Sequence, residues 1–191
     1  MSIASTSTQK LGPGRMILVV GPSGAGKDTL MSALKDRLKD RADVDFARRA
    51  ITREADPDAE DHDTLSHAEF EQLVADGTVA LSWEAHGLGY VIPRHYDQAI
   101  RRGDTIIANG SRKVLKQAVD KYETAIVLLI TAPVEVLAER LAARGRESKD
   151  EIERRLKRAG LEPENVPNLV RIENTGPVED SVSAMIEALK F

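Results

Sequence analysis

The sequence has no cysteine, no long apolar run and no excess of basic residues, and each absence narrows the possible functions. Without thiols the chain forms neither disulfides nor thiolate metal sites, which fits a reducing compartment, so we expect a cytoplasmic protein. The longest apolar run, at 125–130, is far too short to cross a bilayer, and we expect no membrane association.

The charge balance argues against a nucleic-acid partner. The formal net charge is -4, whereas a nucleic-acid-binding domain usually carries a basic surface. An acidic chain can still bind phosphate groups, because a few converging cations are enough within one cleft. A small phosphorylated ligand therefore remains compatible with the composition.

The length of 191 residues suits one domain with a substantial hydrophobic core. Residues 1–15 are rich in serine, threonine and glycine and lack the apolar region of a signal peptide. We expect them to form a flexible leader ahead of a single domain at 16–191.

Apolar runs typical of buried strands alternate with segments of helical periodicity, which predicts an α/β fold with a parallel sheet flanked by helices. Ser66–Glu69 and Ser148–Glu151 are capping boxes, Gly103 suits a helix end and Pro93 a first helical position. The predicted strands lie at 16–20, 44–52, 79–83, 88–92, 105–108, 125–130 and 169–172. The predicted helices lie at 28–41, 66–77, 93–103, 112–122 and 133–145, with two more from 148 and from 178.

A glycine-rich segment with the Gly-x4-Gly-Lys spacing of a phosphate-binding loop follows the first strand. Its residues are Gly21, Pro22, Ser23, Gly24, Ala25, Gly26, Lys27, Asp28 and Thr29. Glycines let backbone N–H groups approach phosphate oxygens, and the following helix adds the positive end of its dipole. We predict that the segment binds ATP, with Lys27 at the β- and γ-phosphates. An ordinary strand–helix turn is the alternative.

One position departs from the usual pattern. Asp28 stands where serine or threonine normally binds Mg²⁺. A carboxylate is a good ligand for this hard cation, so we expect Asp28 to hold Mg²⁺ directly or through water. The opposite possibility is that it repels ATP, and Thr29 is a substitute ligand only if the helix turns it toward the site.

The chain resembles the guanylate-kinase family from about Met16 to its C-terminus. The resemblance lies in four segments in the same order: 21–27, 51–53, 83–90 and 140–156. It implies a P-loop kinase fold with an acceptor-binding subdomain at about 45–100 and a helical lid at about 140–156.

The resemblance also implies roles for individual residues. Lys27, Arg140, Arg144 and Arg155 match the catalytic lysine and the lid arginines, while Arg53 and Tyr90 match ligands of the acceptor phosphate. By family position, the segment 174–175 is a candidate for contacting adenine. The alternatives are that Arg140 and Arg144 decorate a solvated helix face and that Trp83 and Tyr90 are ordinary core aromatics.

The acceptor region departs from guanylate kinase where that family reads its base. Asp56 replaces a phosphate-binding arginine, His62 a tyrosine, Ser82 a base-reading glutamate and Asn109 an aspartate. A pocket without these partners should discriminate poorly for a base. The altered set resembles the ribose 1,5-bisphosphate phosphokinases of phosphonate breakdown, which use ATP to make 5-phosphoribosyl 1-diphosphate.

This second resemblance implies a set of acceptor-binding residues. They are Arg53, Tyr90, Ser82, Asn109 and Arg112. The segment 109–112 follows a buried strand, where ligand loops of open α/β sheets occur, although it could equally be a plain turn with a helix cap. Arg48 and Arg49 fit either acceptor binding or the surface.

Two other functions remain open. The chain could phosphorylate GMP or another nucleoside monophosphate. It could instead be an inactive guanylate-kinase-like module that binds proteins, although such modules tend to lose the donor loop that this sequence retains.

Overall fold

The computed structural model describes residues 9–54, 62–143, 163 and 166–191. Within these ranges, five parallel strands form the main sheet in the order β2-β7-β1-β8-β9. Their bounds are β1 Leu11–Val20, β2 Val44–Phe46, β7 Thr105–Asn109, β8 Tyr122–Thr131 and β9 Leu169–Glu173. The predicted parallel sheet is confirmed.

The central strand β1 has an unbroken apolar run because both of its faces are covered. Met16, Leu18 and Val20 point into one core, and Ile17 and Val19 point into another on the opposite face. All five are fully buried. The sheet is therefore the middle layer of the domain, as the sequence pattern predicts.

Helices cover both faces of the main sheet among the described residues. They are α1 Lys27–Arg37, α3 His95–Arg102, α4 Leu115–Lys121, α5 Val134–Ala143 and α6 Val178–Leu189, with a short 3₁₀ turn at Arg112–Val114, whereas α2 His67–Ala75 packs on a second sheet. Apolar residues of α1, α5 and α6 fill one core, and those of α3 and α4 fill the other. None of these helices is long and apolar enough to cross a membrane.

A second, mixed sheet of four strands lies within the range predicted for the acceptor subdomain, in the order β4-β3-β6-β5. Its strands are β3 Ala50–Ile51, β4 Asp63–Thr64, β5 Val79–Ala85 and β6 Leu88–Pro93. The capping box predicted at Ser66–Glu69 is confirmed, because Ser66 Oγ accepts from the Glu69 amide and the Glu69 carboxylate accepts from the Ser66 amide, whereas the one predicted at Ser148–Glu151 lies outside the described residues. Phe70 of α2 then packs on Ala50 and Val91 of this sheet.

Three boundaries differ from the sequence prediction. Leu11 already pairs with Tyr122 in the main sheet, so the prediction of a leader through residue 15 is wrong for residues 11–15. The segment 44–52 is two strands in different sheets, since β2 pairs with β7 whereas β3 pairs with β4 and β6. Pro93 ends β6 opposite Val79 and does not start a helix, whereas the left-handed Gly103 cap is confirmed.

Candidate active site

A cleft of about 510 Å³ lies at the carboxyl edge of the main sheet and extends to the second sheet. Ligands of open α/β folds bind at this edge, where the loops that follow parallel strands converge. The loops after β1 and β7 both contribute to its lining. The full lining is Gly21, Pro22, Ser23, Lys27, Asp28, Arg49, Arg53, Trp83, Ala85, His86, Leu88, Tyr90, Asn109, Gly110, Ser111 and Arg112.

The glycine-rich loop has the backbone of an anion-binding loop. Gly24 and Gly26 adopt φ angles of 87° and 86°, which side chains with a Cβ rarely tolerate. Gly26 caps α1, so the positive end of that helix faces the loop. The Lys27 Nζ donates to the carbonyl oxygens of Gly21 at 3.0 Å and Pro22 at 3.2 Å, which holds its ammonium group across the loop.

The predicted loop residues do not all face the cleft. Pro22, Ser23, Lys27 and Asp28 line it with Gly21. Ala25 is fully buried in the core beneath the loop, where it anchors the turn. Thr29 is exposed on α1 and is absent from the cleft lining, so its position does not favour a role as substitute magnesium ligand.

Asn174, at the end of β9, supports the loop from its core side. Its Nδ2 donates to the Ala25 carbonyl oxygen at 2.8 Å, and its Oδ1 accepts from Ser181 Oγ at 3.3 Å. A Cβ on Gly26 would collide with this amide, which explains why glycine is needed there. Asn174 is 5% exposed and does not line the cleft, so this structure favours a supporting role over the predicted contact with adenine.

Arg140, on α5, lies beside Asn174. Its guanidinium donates to the carbonyl oxygens of Gly24 at 3.4 Å and Asn174 at 3.0 Å. Arg140 is absent from the cleft lining, and its role in phosphoryl transfer stays a prediction. Arg144 and Arg155, the other predicted lid arginines, lie outside the described residues, as does Asp56.

Asp28 and Asn109 meet at the donor end of the cleft. Asn109 Nδ2 donates to Asp28 Oδ1 at 3.1 Å. Mg²⁺ bound with a nucleotide usually takes one or two protein carboxylates together with phosphates and water, and Asp28 fits that requirement. The described residues contain no group of three or more acidic, histidine or cysteine side chains that could hold a metal without such a ligand.

The other end of the cleft is built from two stacked aromatic rings. Trp83 of β5 and Tyr90 of β6 are paired across the strands, with centroids 5.2 Å apart and ring planes within 3°. Arg49 lies over both rings, 5.8 Å from the Trp83 centroid and 5.2 Å from that of Tyr90. The structure therefore places Arg49 in the wall of the cleft and not on the exposed surface.

Arg48 lies outside the cleft lining. Its guanidinium pairs with Asp63 at 2.8 Å, and its backbone N–H donates to the Tyr96 hydroxyl at 2.9 Å. The neighbouring arginines thus have different surroundings. No local periodicity in the sequence separates them, because the difference arises when the chain passes from β2 in one sheet to β3 in the other.

Four of the five predicted acceptor residues line the cleft, and one does not. Arg53, Tyr90, Asn109 and Arg112 contribute to its wall. Ser82 pairs with Val91 on the face of β5 opposite Trp83, because successive strand residues alternate sides. Its amide donates to Gln117 Oε1 at 3.2 Å, and we withdraw Ser82 from the acceptor set.

The fold and the site together define a P-loop kinase of the guanylate-kinase type: a parallel sheet with a phosphate-binding loop after its central strand, and a second sheet across the cleft. A guanylate kinase structure from Anaplasma phagocytophilum shares the fold, with a TM-score of 0.66 and 18% identity, covering 95% of this chain and 86% of that one. A sugar kinase from Janibacter gives a TM-score of 0.53 at 17% identity, covering 93% and 95%. The family model described as AAA domain matches residues 17–159.

Sequence comparison defines the family more closely. A curated relative from Rhodopseudomonas palustris is 48% identical over 83% of this chain and 81% of its own length. Relatives from Desulfomicrobium baculatum and Agrobacterium fabrum are 44% and 43% identical, over 90% and 92% of this chain and 91% and 96% of their own. All three are named ribose 1,5-bisphosphate phosphokinase PhnN. The chain belongs to this family of ribose 1,5-bisphosphate phosphokinases.

Proposed function

We propose that this protein transfers the γ-phosphoryl group of Mg-ATP to the 1-phosphate of ribose 1,5-bisphosphate, giving 5-phosphoribosyl 1-diphosphate and ADP. The observation that carries this proposal is the charge of the cleft. Its lining contains four cationic side chains, Lys27, Arg49, Arg53 and Arg112, and one carboxylate, Asp28. The chain as a whole carries a net charge of -4, so the cationic side chains are concentrated where polyanionic ligands would bind.

The donor end of the cleft suits the terminal phosphates of ATP. In this proposal the loop amides and Lys27 hold the β- and γ-phosphates, and Asp28 holds Mg²⁺ directly or through water. The ion, when bound, neutralises charge on those phosphates. Arg140, Arg144 and Arg155 keep the role that the family resemblance implies, which is to bind the transferring group through planar guanidinium groups.

The chemistry needs alignment more than proton transfer. The acceptor phosphate is anionic at neutral pH, so one of its oxygens attacks the γ-phosphorus without a general base. The bond between the γ-phosphorus and the β–γ bridging oxygen breaks, and ADP leaves with that oxygen. Arg53 and Tyr90, on the acceptor side, position the attacking phosphate.

An acceptor panel tests the proposal. The purified protein is incubated with Mg-ATP and ribose 1,5-bisphosphate, GMP or AMP, and ³¹P NMR follows the appearance of a sugar diphosphate. We expect turnover of the sugar bisphosphate. Turnover of GMP with none of the sugar would replace this proposal with a nucleoside monophosphate kinase.

The biological setting is also a proposal. The family resemblance supports a role in phosphonate breakdown and 5-phosphoribosyl 1-diphosphate supply, and the names of the relatives support the phosphorylation of ribose 1,5-bisphosphate. Because the donor is ATP, we place the protein in the cytoplasm.

A further inference from the structure

We propose that Arg49 binds the second phosphate of the acceptor, the one that does not react, and that it thereby selects a bisphosphorylated sugar. This inference rests on the proposed function and adds to it the residue that determines acceptor specificity. Arg49 belongs to none of the motifs in which the family resemblance lies, and its candidacy comes from its surroundings in the fold.

Arg49 is an unusual arginine because it is only 8% exposed while it lines the cleft. Its guanidinium is a cationic group held in the wall of the cleft, and charged side chains are rarely this buried unless they have a specific partner. One of its nitrogens, Nη1, donates to the Asn109 carbonyl oxygen at 3.1 Å. A charge in such a place interacts strongly with an anion that displaces the remaining water.

The aromatic pair fixes the orientation of this guanidinium. Trp83 and Tyr90 present stacked, nearly parallel rings, and the Arg49 carbon Cζ lies 5.8 Å and 5.2 Å from their centroids. Cation–π contacts of this kind restrict a guanidinium without neutralising it. The planar guanidinium is therefore oriented in the wall of the cleft, and its fork of N–H groups matches the oxygens of a phosphate in a way that a lysine ammonium does not.

Arg49 and Arg53 stand at opposite ends of β3. Three residues lie between them and the chain bends at 52–53, so their Cα atoms are at most about 13 Å apart, the length of four fully extended steps. Arg53 is exposed at the rim, whereas Arg49 lies deep against the aromatic rings. Two cations at different depths of the cleft suit a ligand with two phosphate groups better than a ligand with a single phosphate. If Arg53 and Tyr90 hold the reacting phosphate, Arg49 holds the other.

Kinetics on the proposed substrate, with ribose 5-phosphate as an inhibitor, test this assignment. Ribose 5-phosphate carries the second phosphate but lacks the reacting one. For Arg49→Gln we expect KM for ribose 1,5-bisphosphate to rise about 10- to 100-fold, the equivalent of one charge-assisted hydrogen bond or a pair. Because this contact is made equally before and during the transfer, kcat should change little. Inhibition by ribose 5-phosphate should weaken by a similar factor.

Arg48→Gln is the matched control, since it removes the same charge at the neighbouring position. The Arg48 side chain pairs with Asp63 and does not line the cleft. It should leave KM and inhibition within about twofold of the unchanged protein. Arg49→Lys retains the charge without the planar fork and should fall between the two. It also replaces Arg49→Gln as the test if the glutamine variant does not fold.

The remaining outcomes separate the two proposals. If the unchanged protein does not phosphorylate ribose 1,5-bisphosphate, the proposed function fails. If it does, but Arg49→Gln lowers kcat at constant KM or leaves inhibition by ribose 5-phosphate unaltered, the assignment of Arg49 is wrong. A lack of inhibition of the unchanged protein by ribose 5-phosphate would also overturn it. Selective loss of GMP turnover would make Arg49 a base reader, since arginine can also bind the guanine edge.

Discussion

Asn109 and Asp28 join the end of β7 to the first turn of α1, through one hydrogen bond of 3.1 Å from Nδ2 to Oδ1. The same Asn109 accepts from Arg49 Nη1 through its carbonyl oxygen at 3.1 Å. The last residue of a buried strand therefore contacts both the candidate magnesium carboxylate and the candidate acceptor arginine. Its amide can donate to Asp28, which the aspartate typical of the guanylate-kinase family could not do without a proton.

Replacement of Asp28 by serine tests the magnesium assignment. Asp28→Ser should retain ATP binding, because the loop amides and Lys27 are unchanged, but it should require a higher Mg²⁺ concentration for half-maximal rate, since a neutral ligand attracts the ion less. Titration of activity with Mg²⁺ at fixed ATP measures this. Asp36→Ser, at an exposed position on α1, is the control. An unchanged Mg²⁺ optimum would remove the metal role of Asp28.

The donor loop could be predicted from the sequence because its signals are local. The buried strand, the glycine spacing and the lysine lie within 12 consecutive residues, 16–27. The strand and the glycines reflect backbone conformation, and the lysine supplies charge at a fixed spacing from them. The roles of Arg49 and Asn174 could not be predicted in this way. Their partners, Asn109 and Ala25, lie 60 and 149 residues away along the chain.

On the acceptor side, too, local sequence patterns do not reveal which side chains face the cleft. The pattern of β5 predicts a strand, but which of its side chains face the cleft depends on its pairing with β6. Ser82, a predicted acceptor residue by resemblance, alternates with Trp83 and does not line the cleft. The stretch 44–52 looks like one strand because both of its halves favour extended structure. Only tertiary pairing divides it between two sheets, and that division brings Arg49 into the cleft.

Substitution of Lys27 tests whether the protein is an enzyme or an inactive binding module. Lys27→Ala removes the ammonium group that the structure holds across the loop, and we expect kcat/KM to fall about 100- to 1,000-fold, as for other single groups that stabilise transferring charge. Melting temperature without nucleotide serves as the folding check. If biological activity survived this substitution undiminished, a protein-binding role would be favoured instead.

Asn174 should act through the loop and not through the adenine base. Asn174→Ala leaves the buried Ala25 carbonyl without its 2.8 Å donor, so we expect a loss of about 1 to 3 kcal/mol in the free energy of unfolding, together with weaker ATP binding. The ratio of ATP to GTP affinity should stay constant. Ser181→Ala, which removes only the hydroxyl that donates to Asn174, should cost about 1 kcal/mol. A changed ATP to GTP preference at normal stability would show that Asn174 reads the base.

The buried position of Tyr122 predicts how the free energy of unfolding changes at alkaline pH. It is fully buried and donates to Asp97 Oδ1 at 2.7 Å, and this burial next to a carboxylate raises the pKa of the Tyr122 phenol far above its usual value. The folded protein keeps the proton that the unfolded chain loses above pH of about 10, so stability falls as pH rises past that point. The slope from this group reaches about 1.4 kcal/mol per pH unit.

Tyr122→Phe removes this titration and keeps every other group. Urea unfolding should show the variant to be less stable near neutral pH by about 1 to 3 kcal/mol, because Asp97 loses a buried donor. The gap should narrow as pH rises beyond about 10. A gap that stays constant across this range would mean that the phenol ionises normally in the folded protein.

Trp83 is the single tryptophan of the chain, and its place in the cleft makes it a reporter of acceptor binding. Its ring stacks on Tyr90 and lies beneath the Arg49 guanidinium, so a phosphorylated sugar that engages Arg49 should alter its emission. We expect ribose 1,5-bisphosphate to change the fluorescence in a saturable way, with ATP alone causing a much smaller change. Lys27→Ala should preserve the response to the sugar, because its substitution lies at the donor end. A response to ATP with none to the sugar would mean that the aromatic pair lines the nucleotide site and that the two ends of the cleft have been assigned in reverse.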